Sequence, residues 1–299
     1  MKVLTIVGPT AVGKTEVSFL LALRHNLEII SADSRQVYQF LDIGTAKPPK
    51  EMRERVKFHL LDIVSPDKVL SAGDFALRAR EVMDRLSQEG KRFLICGGSG
   101  LYIRAIFKPL AKIPKIDPKI REELQGRSLE LLYQELEKVD PTAAQRIHPQ
   151  DRQRIIRALE VFFQTKRPLS FFWSGKEGEC PYQPFYIGLF LPKKTLYRRI
   201  EERLARMMQE GFLEEVRRLL DLGYDENLYP FNAFGYKELM RYLKGKLTLE
   251  EALRIIKKKT KDYAKRQLTW FKRERIYWLD NSDPERTVKE IEELFPLGE

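Results

Sequence analysis

Gly8-Pro9-Thr10-Ala11-Val12-Gly13-Lys14-Thr15 spaces two glycines, a lysine and a hydroxyl residue as G-x-x-x-x-G-K-[ST]. Glycines in that spacing let backbone N–H groups turn inward onto phosphate oxygens, and a helix starting at the lysine adds partial positive charge. Lys14 would reach the terminal phosphates and Thr15 could ligate Mg²⁺. The loop does not name the reaction, because it serves kinases as readily as any chemistry in which a diphosphate leaves. The deciding group is a carboxylate, Asp33, in Ser31-Ala32-Asp33-Ser34-Arg35-Gln36-Val37-Tyr38. It follows a strand directly, and in doubly wound sheets the C-terminal strand ends face the ligand. Position alone leaves Asp33 open as a Mg²⁺ ligand, a helix N-cap or a general base.

The elements that must hold these groups alternate. Val3 to Val7 is a β-branched apolar run, and the helix from about Lys14 turns Val17, Leu20 and Leu21 inward. Leu27 to Ala32, Phe58 to Val64 and Arg92 to Cys96 read as further strands, with a helix over Ala72 to Gln88. Strand and helix in alternation predict an α/β fold, a P-loop NTPase-like parallel sheet with helices on both faces. Pro109, Pro114 and Pro118 then punctuate a linker, and Lys119 to about Phe172 has helical periodicity without strand candidates. The expected division is a first part of the core over 1–114, a helical insertion over 115–180, and completion of the core over 181–299. That completion begins with a strand at Phe185 to Leu191, a helix over Lys193 to Glu210, and later a strand at Ile276 to Leu279. On a helix from Glu250, Leu253, Ile256, Thr260, Ala264, Leu268 and Phe271 form an inner stripe, with Arg254, Lys258, Lys261, Lys265 and Lys272 on another face.

At 299 residues and 43% hydrophobic content the chain can fill such a core, which excludes a disordered protein. The net charge of +11 favours polyanionic partners, nucleic acid or phosphorylated substrates. Residues 241–275 hold thirteen Lys/Arg against four Asp/Glu, so most of that surplus sits in one stretch. No signal-peptide pattern or membrane-length apolar run is present, which leads us to expect a cytoplasmic protein with no membrane partner. Cys96 and Cys180 lack His or Cys neighbours at ligand spacing, so neither a zinc site nor a disulfide framework is expected.

GPTAVGKT, DSRQVY, Asp42-Ile43-Gly44-Thr45-Ala46-Lys47-Pro48 and Gly97-Gly98-Ser99-Gly100-Leu101-Tyr102 together resemble the successive signatures of the tRNA dimethylallyltransferases, also called tRNA isopentenyltransferases. Asp140-Pro141, Arg146-Ile147-His148-Pro149, Gln153 to Val161 and Lys265-Arg266-Gln267-Leu268-Thr269-Trp270 extend the likeness in order over nearly the whole chain. The resemblance implies transfer of a dimethylallyl group from dimethylallyl diphosphate to N6 of the adenosine 3′ to the anticodon of tRNA. It also implies Mg²⁺ as cofactor and the anticodon stem-loop of tRNA as partner of a monomer. By it Asp33 is the catalytic base, Thr10 and the whole Gly8 to Thr15 loop hold the diphosphate, and Arg203 contacts it. Without it, Arg203 reads as a solvated helix charge.

The same resemblance implies RNA contacts for Asp33, Ser34, Arg35 and Gln36, for Gln153, Arg154, Ile155, Ile156 and Arg157, and for Ser99 and Arg121. On its residues alone Gln153 to Arg157 reads equally as an amphipathic surface helix, with Ile155, Ile156, Leu159, Phe162 and Phe163 inward. The basic run near the C-terminus suits phosphate tracking but reads equally as a solvated face. His148 reads as a loop or capping residue. Departures from the family pattern are Val12, where many relatives carry a small hydroxyl residue, and Ser99 in place of the commoner Thr. The absence of zinc-finger cysteines points to a bacterial-type member. An adenylate isopentenyltransferase acting on free nucleotide, or a P-loop small-molecule kinase, would need neither the helical insertion nor the basic C-terminal third.

Overall fold

β1 (Lys2–Val7) is built from residues that alternate between two cores: Val3 and Val7 face one cluster, Leu4 and Ile6 the other. The computed structural model describes residues 1–297 except 109, 112, 115, 175–179 and 234. Five further strands, β2 (Leu27–Ser31), β3 (Phe58–His59), β4 (Arg92–Gly97), β5 (Gln183–Phe190) and β6 (Tyr277–Asp280), join β1 in one all-parallel sheet. The order is β3-β2-β4-β1-β5-β6. Val7 pairs with Gly97 on one side and Gly188 on the other, so the C-terminal ends of β4, β1 and β5 lie together. Ligands of open parallel sheets bind at that edge.

One face is covered by α3 (Ala72–Gln88) and α4 (Gly100–Phe107), which bury Phe75, Met83 and Ile103 against the sheet. The other carries α1 (Lys14–His25), whose Val17 and Leu21 are fully buried there. A shorter α2 (Lys50–Arg55) precedes β3.

Lys108–Glu179 forms a compact unit of its own, separate from the unit made by Met1–Phe107 and Cys180–Glu299. Its helices are α5 (Pro118–Gln125), α6 (Leu129–Val139), α7 (Pro141–Ala144) and α8 (Arg152–Thr165), followed by a 3-10 turn over Leu169–Ser174. Leu124, Leu132, Leu136, Ile155 and Leu159 make a private core of almost fully buried side chains. Ser128, Asp140 and Asp151 cap three of these helices by accepting first-turn N–H bonds. Pro114 precedes α5 and Pro118 is its first residue; Pro109 and Lys115 lie outside the described residues.

After β5 come α9 (Lys193–Gln209), α10 (Phe212–Asp221), α11 (Tyr236–Leu243), α12 (Leu249–Phe271) and α13 (Pro284–Leu294). No helix among the described residues is long and apolar enough to cross a membrane.

Two expectations are corrected. Phe58 to Val64 is not one strand: Leu60 (φ 64) and Asp62 (φ 57) adopt left-handed conformations that end the ladder after His59. Val64 keeps only an isolated bridge to Tyr38. On α12 the buried stripe runs through Ala252, Ile256, Ala264, Gln267 and Phe271, while Leu253 and Leu268 are half-buried. A glutamine takes a core position.

The segment Asp42 to Pro48 is held as firmly as a helix although it has no regular structure. The Glu215 carboxylate, 3% exposed, accepts from the N–H groups of Asp42 (3.1 Å), Ile43 (2.8 Å) and Gly44 (3.2 Å) and from the Tyr236 hydroxyl (2.7 Å). Lys47 donates to Tyr38 O (2.6 Å) and Asp42 Oδ1 (2.7 Å) and also pairs with Asp62. Glu215→Ala would leave three amides without an acceptor, and each unmet buried donor costs about 1–3 kcal/mol. Urea denaturation is expected to show a loss of roughly 3 kcal/mol or more at unchanged m-value.

Candidate active site

The Gly8 to Thr15 loop leaves β1 and enters α1 through conformations that only its glycines permit at low cost. Gly8 has φ 146 and a Cβ there would lie 2.6 Å from Leu189 O; Gly13 has φ 99 and would meet Asn281 Nδ2 at 2.4 Å. Gly13, as N-cap, offers no side chain to the first turn of α1, so the amides there are left for a ligand. Several other polar groups of the loop are tied down from within the protein. Lys14 Nζ donates to Pro9 O (2.8 Å), Asn281 Nδ2 to Val12 O (2.7 Å), and Thr10 N donates to Gln267 Oε1 (2.8 Å). The other end of the Gln267 amide donates to Gly98 O (2.9 Å), on the turn after β4.

A cavity of about 570 Å³ opens on this loop, lined by Thr10, Ala11 and Gly13 to Thr15, by Asp33 and Gln36 beyond β2, and by Arg199, Arg203 and Arg206 of α9. A second, of about 180 Å³, is walled by Ile200, Leu204, Met207, Phe212 and Ile256. Thr10, Ala11, Asp33, Thr45, Arg203 and Tyr263 line both. The larger space is lined by the loop and by cationic side chains; the smaller joins an apolar wall to Ser34, Arg35, Asn232, Lys257 and Thr260, and a carboxylate and an arginine stand at the wall they share.

Asp33 is fixed by its own turn: Oδ1 accepts from Arg35 N (2.8 Å) and Gln36 N (3.4 Å). No helix follows, so it caps a turn and not a helix, and among the described residues no protein donor reaches Oδ2. Arg203 donates to Thr10 Oγ1 (3.1 Å). Burial lowers the Arg203 guanidinium below its ordinary range, against the pull of the Asp33 charge. Burial likewise brings the Lys14 ammonium down to about 8, opposed by Cys96 and Asp33 and reinforced by Arg203. Tyr263 is pushed up to about 12, by burial first and then by Asp33. Cations held short of their full hydration make a site that gains from a bound anion.

The sequence-derived residues fall into three groups. Gly8, Pro9, Thr10, Ala11, Val12, Gly13, Lys14, Thr15, Asp33 and Arg203 belong to the loop or its cavities, although Val12 is fully buried beneath the loop. Ser34 and Arg35 line the smaller cavity; Ser34 N donates to Ser99 Oγ (2.9 Å), and Arg35 donates to Tyr229 O (3.1 Å) with its guanidinium 4.6 Å from the Tyr229 ring centre. Ser99 is 8% exposed and its hydroxyl shapes the Asp33 turn. In the helical unit, Gln153 and Arg154 are exposed on α8, while Arg121 and Arg157 both donate to the buried Glu160, at 3.0 and 3.3 Å for their Oε2 contacts.

Three of the residues that the resemblance assigns to RNA contact have side chains engaged inside the protein. Ile155 and Ile156, 0% and 7% exposed, are core side chains of the helical unit. Gln36 has its amide engaged inside the protein, donating to Thr45 O (3.2 Å) and Ala46 O (2.9 Å) and accepting from Ser31 Oγ (3.1 Å). His148 is a capping residue, its Nδ1 accepting from Gln150 N (3.1 Å). Gln267, Asn281, Arg199 and Arg206 were not singled out from sequence as site residues. The i, i+4, i+7 spacing of Arg199, Arg203 and Arg206 on one helix face is a signal that could have found the last two; nothing local marks Gln267 or Asn281.

A sequence profile described as IPP transferase matches residues 36–274. A tRNA dimethylallyltransferase of Carboxydothermus hydrogenoformans is 46% identical over 94% of this chain and 92% of its own length. A tRNA dimethylallyltransferase 2 of Geotalea uraniireducens is 46% identical over 96% of this chain and 95% of its own. Among solved structures, the full-length tRNA isopentenylpyrophosphate transferase of Bacillus halodurans superposes with TM-score 0.72 at 39% identity, covering 98% of this chain and 95% of that one. A eukaryotic dimethylallyltransferase described as acting on tRNA superposes with TM-score 0.82 at 25% identity, covering all of this chain and 81% of that one.

Two outcomes follow from the geometry of the loop. Because Lys14 loses its charge in the empty site above about pH 8, affinity for inorganic pyrophosphate should fall as pH rises through that value, and binding near it should take up a proton. Calorimetry in buffers of different ionisation enthalpy reads both, and pH-independent binding would contradict the assignment. Gln267→Leu removes both amide bonds and leaves Thr10 N–H and Gly98 C=O unmet, at about 1–3 kcal/mol each. Pyrophosphate titration should show affinity reduced by roughly tenfold or more, against an unchanged affinity if the amide is mere filling.

Proposed function

The chain belongs to the IPP transferase family, and from that premise we infer that it transfers a dimethylallyl group from dimethylallyl diphosphate to N6 of the adenosine 3′ to the anticodon in tRNA, releasing diphosphate. The observation that carries the reading is the shared wall: Asp33, Thr10 and Arg203 border both the cationic cavity on the loop and the smaller cavity, with its one apolar wall, beside it. The first suits a diphosphate. The apolar wall of the second, made by Ile200, Leu204, Met207, Phe212 and Ile256, suits a five-carbon chain with no polar atoms.

The adenine amino lone pair is delocalised into the ring, so N6 is a poor nucleophile until a base takes its proton. Asp33, with Oδ1 anchored by its turn, is placed to accept that proton on Oδ2. The N6–C1 bond forms as the C1–O bond breaks, and the electron pair leaves with the diphosphate. Its growing charge falls to the loop amides, Lys14 and Arg203, which are already desolvated and need little rearrangement. Arg203, donating to Thr10 Oγ1, holds that hydroxyl in register with the departing oxygens.

Mg²⁺, when bound, would neutralise part of the same charge. The residues present fit an ion held mainly by diphosphate oxygens, as Mg²⁺ often is in phosphate sites. Thr15 lies in the first turn beside the cavity, and among the described residues no group of three His, Cys, Asp or Glu could hold a metal without substrate.

The adenosine arrives as part of a polymer, so base removal from the stack and backbone grip are required. Gln153, Arg154 and Arg157 on α8 and Arg121 on α5 supply polar and cationic groups for the second task. Glu160, fully buried between Arg121 and Arg157, fixes the two guanidiniums. We assign this activity to a cytoplasmic monomer.

Asp33→Ala should reduce single-turnover transfer by about 10²- to 10⁴-fold while binding of tRNA and of pyrophosphate changes little. Arg157→Ala should weaken tRNA binding and leave pyrophosphate binding intact. Near-normal transfer by the Asp33 variant would remove the base from this scheme.

A further inference from the structure

The 3-10 turn Leu169–Ser174 of the helical unit holds two large aromatic side chains toward solvent: Phe171 is 50% exposed and Trp173 39%. The turn is pinned to the unit from below. Asp140, 1% exposed, divides its carboxylate between Ala143 N (3.0 Å), where it caps α7, and Ser170 N (2.8 Å), at the second residue of the turn. A buried carboxylate that stabilises the turn therefore also fixes where the two exposed rings stand.

Each ring carries an arginine over one face. The Arg167 guanidinium is 4.5 Å from the Phe171 ring centre, and that of Arg146 is 4.8 Å from Trp173. Arg167 is set in place by its N–H bond to Thr165 Oγ1 (3.1 Å). Among the described residues neither arginine pairs with a carboxylate, unlike Arg121 and Arg157, whose charge is offset by Glu160. The patch thus joins exposed apolar ring area to uncompensated positive charge. That combination suits a polyanion with flat faces, since every base has a face to stack and every linkage a phosphate to attract. A protein surface rich in carboxylates would meet the charge but give the two rings no flat partner.

We propose that Phe171 and Trp173, with Arg167 and Arg146, form a stacking platform for unpaired bases of the RNA substrate. The proposal rests on the tRNA reading above and extends it to a surface outside the cavities. Withdrawing one adenine from a loop leaves its neighbours without stacking partners, and a rigid aromatic surface supplies replacements.

The test is equilibrium binding of an anticodon stem-loop RNA to the full chain, titrated across salt concentrations, with Phe171→Ala, Trp173→Ala and Trp173→Tyr. Both rings are exposed, so folding should survive, and circular dichroism with unchanged pyrophosphate binding checks it. Each alanine variant is expected to lose about 5- to 150-fold in RNA affinity. The slope of log K against log salt should stay the same, since no phosphate contact is lost. Trp173→Tyr should restore most of the affinity, and RNA should quench the fluorescence component that disappears in Trp173→Ala. Wild-type affinity in both alanine variants would overturn the platform while leaving the tRNA reading intact. Loss of self-association in Trp173→Ala, with RNA affinity unchanged, would make the patch a protein interface and overturn it too. No binding of the stem-loop by the wild-type chain would sink both the platform and the reading on which it rests.

Discussion

Thr10 has two of its polar groups held by distant elements, the N–H by Gln267 of α12 and the hydroxyl by Arg203 of α9. On that double restraint depends the orientation of the whole phosphate-binding loop. An amide directed at Gln267 does not compete for phosphate, and the loop cannot relax to satisfy itself when empty. Asn281 does the same for Val12 C=O, just before Gly13. The partners lie more than 190 residues away in sequence, so the loop is shaped only once β5, β6 and the helices between them are in place. A nest built this way faces its anion without rearranging, which is where catalysis of a departing diphosphate draws its strength.

The electrostatics follow from the same packing. Lys14 and Arg203 are desolvated cations that both feel the Asp33 charge, and with Lys47, Arg199 and Arg206 in the same lining against Asp33, Glu16 and Glu202 the cavity carries a positive excess. A diphosphate offsets that excess. Tyr263, whose hydroxyl stays protonated over a wide pH range, borders both cavities on the same side. The clamp of Glu215 on Asp42 to Gly44 holds the segment that carries Thr45, one of the residues that line both cavities.

Much of this was legible in the sequence because its signals are local. The glycine spacing of the loop, the β-branched runs of β1 and β2, and the apolar period of α3 and α8 each depend on neighbours a few residues away. Phe58 to Val64 misled because alternation says nothing of backbone sign, and Leu60 and Asp62 sit in the left-handed region. Gln267 and Asn281 were invisible as site residues because a buried amide is defined by partners that only the tertiary fold supplies. Ile155 and Ile156 show the converse: a motif carried over as a block includes residues whose side chains anchor its helix. Glu160 is of the same kind as Gln267, a polar group in the core whose meaning lies in Arg121 and Arg157.

The most direct measurement offers the purified chain labelled dimethylallyl diphosphate with Mg²⁺ and, in parallel, tRNA, AMP or ATP as acceptor. A loop that holds the diphosphate, a carboxylate that activates an amino nitrogen and a surface that delivers it on a polymer together predict label in tRNA, on an adenine next to the anticodon, and none in either free nucleotide. Label in AMP or ATP with none in tRNA would contradict that arrangement.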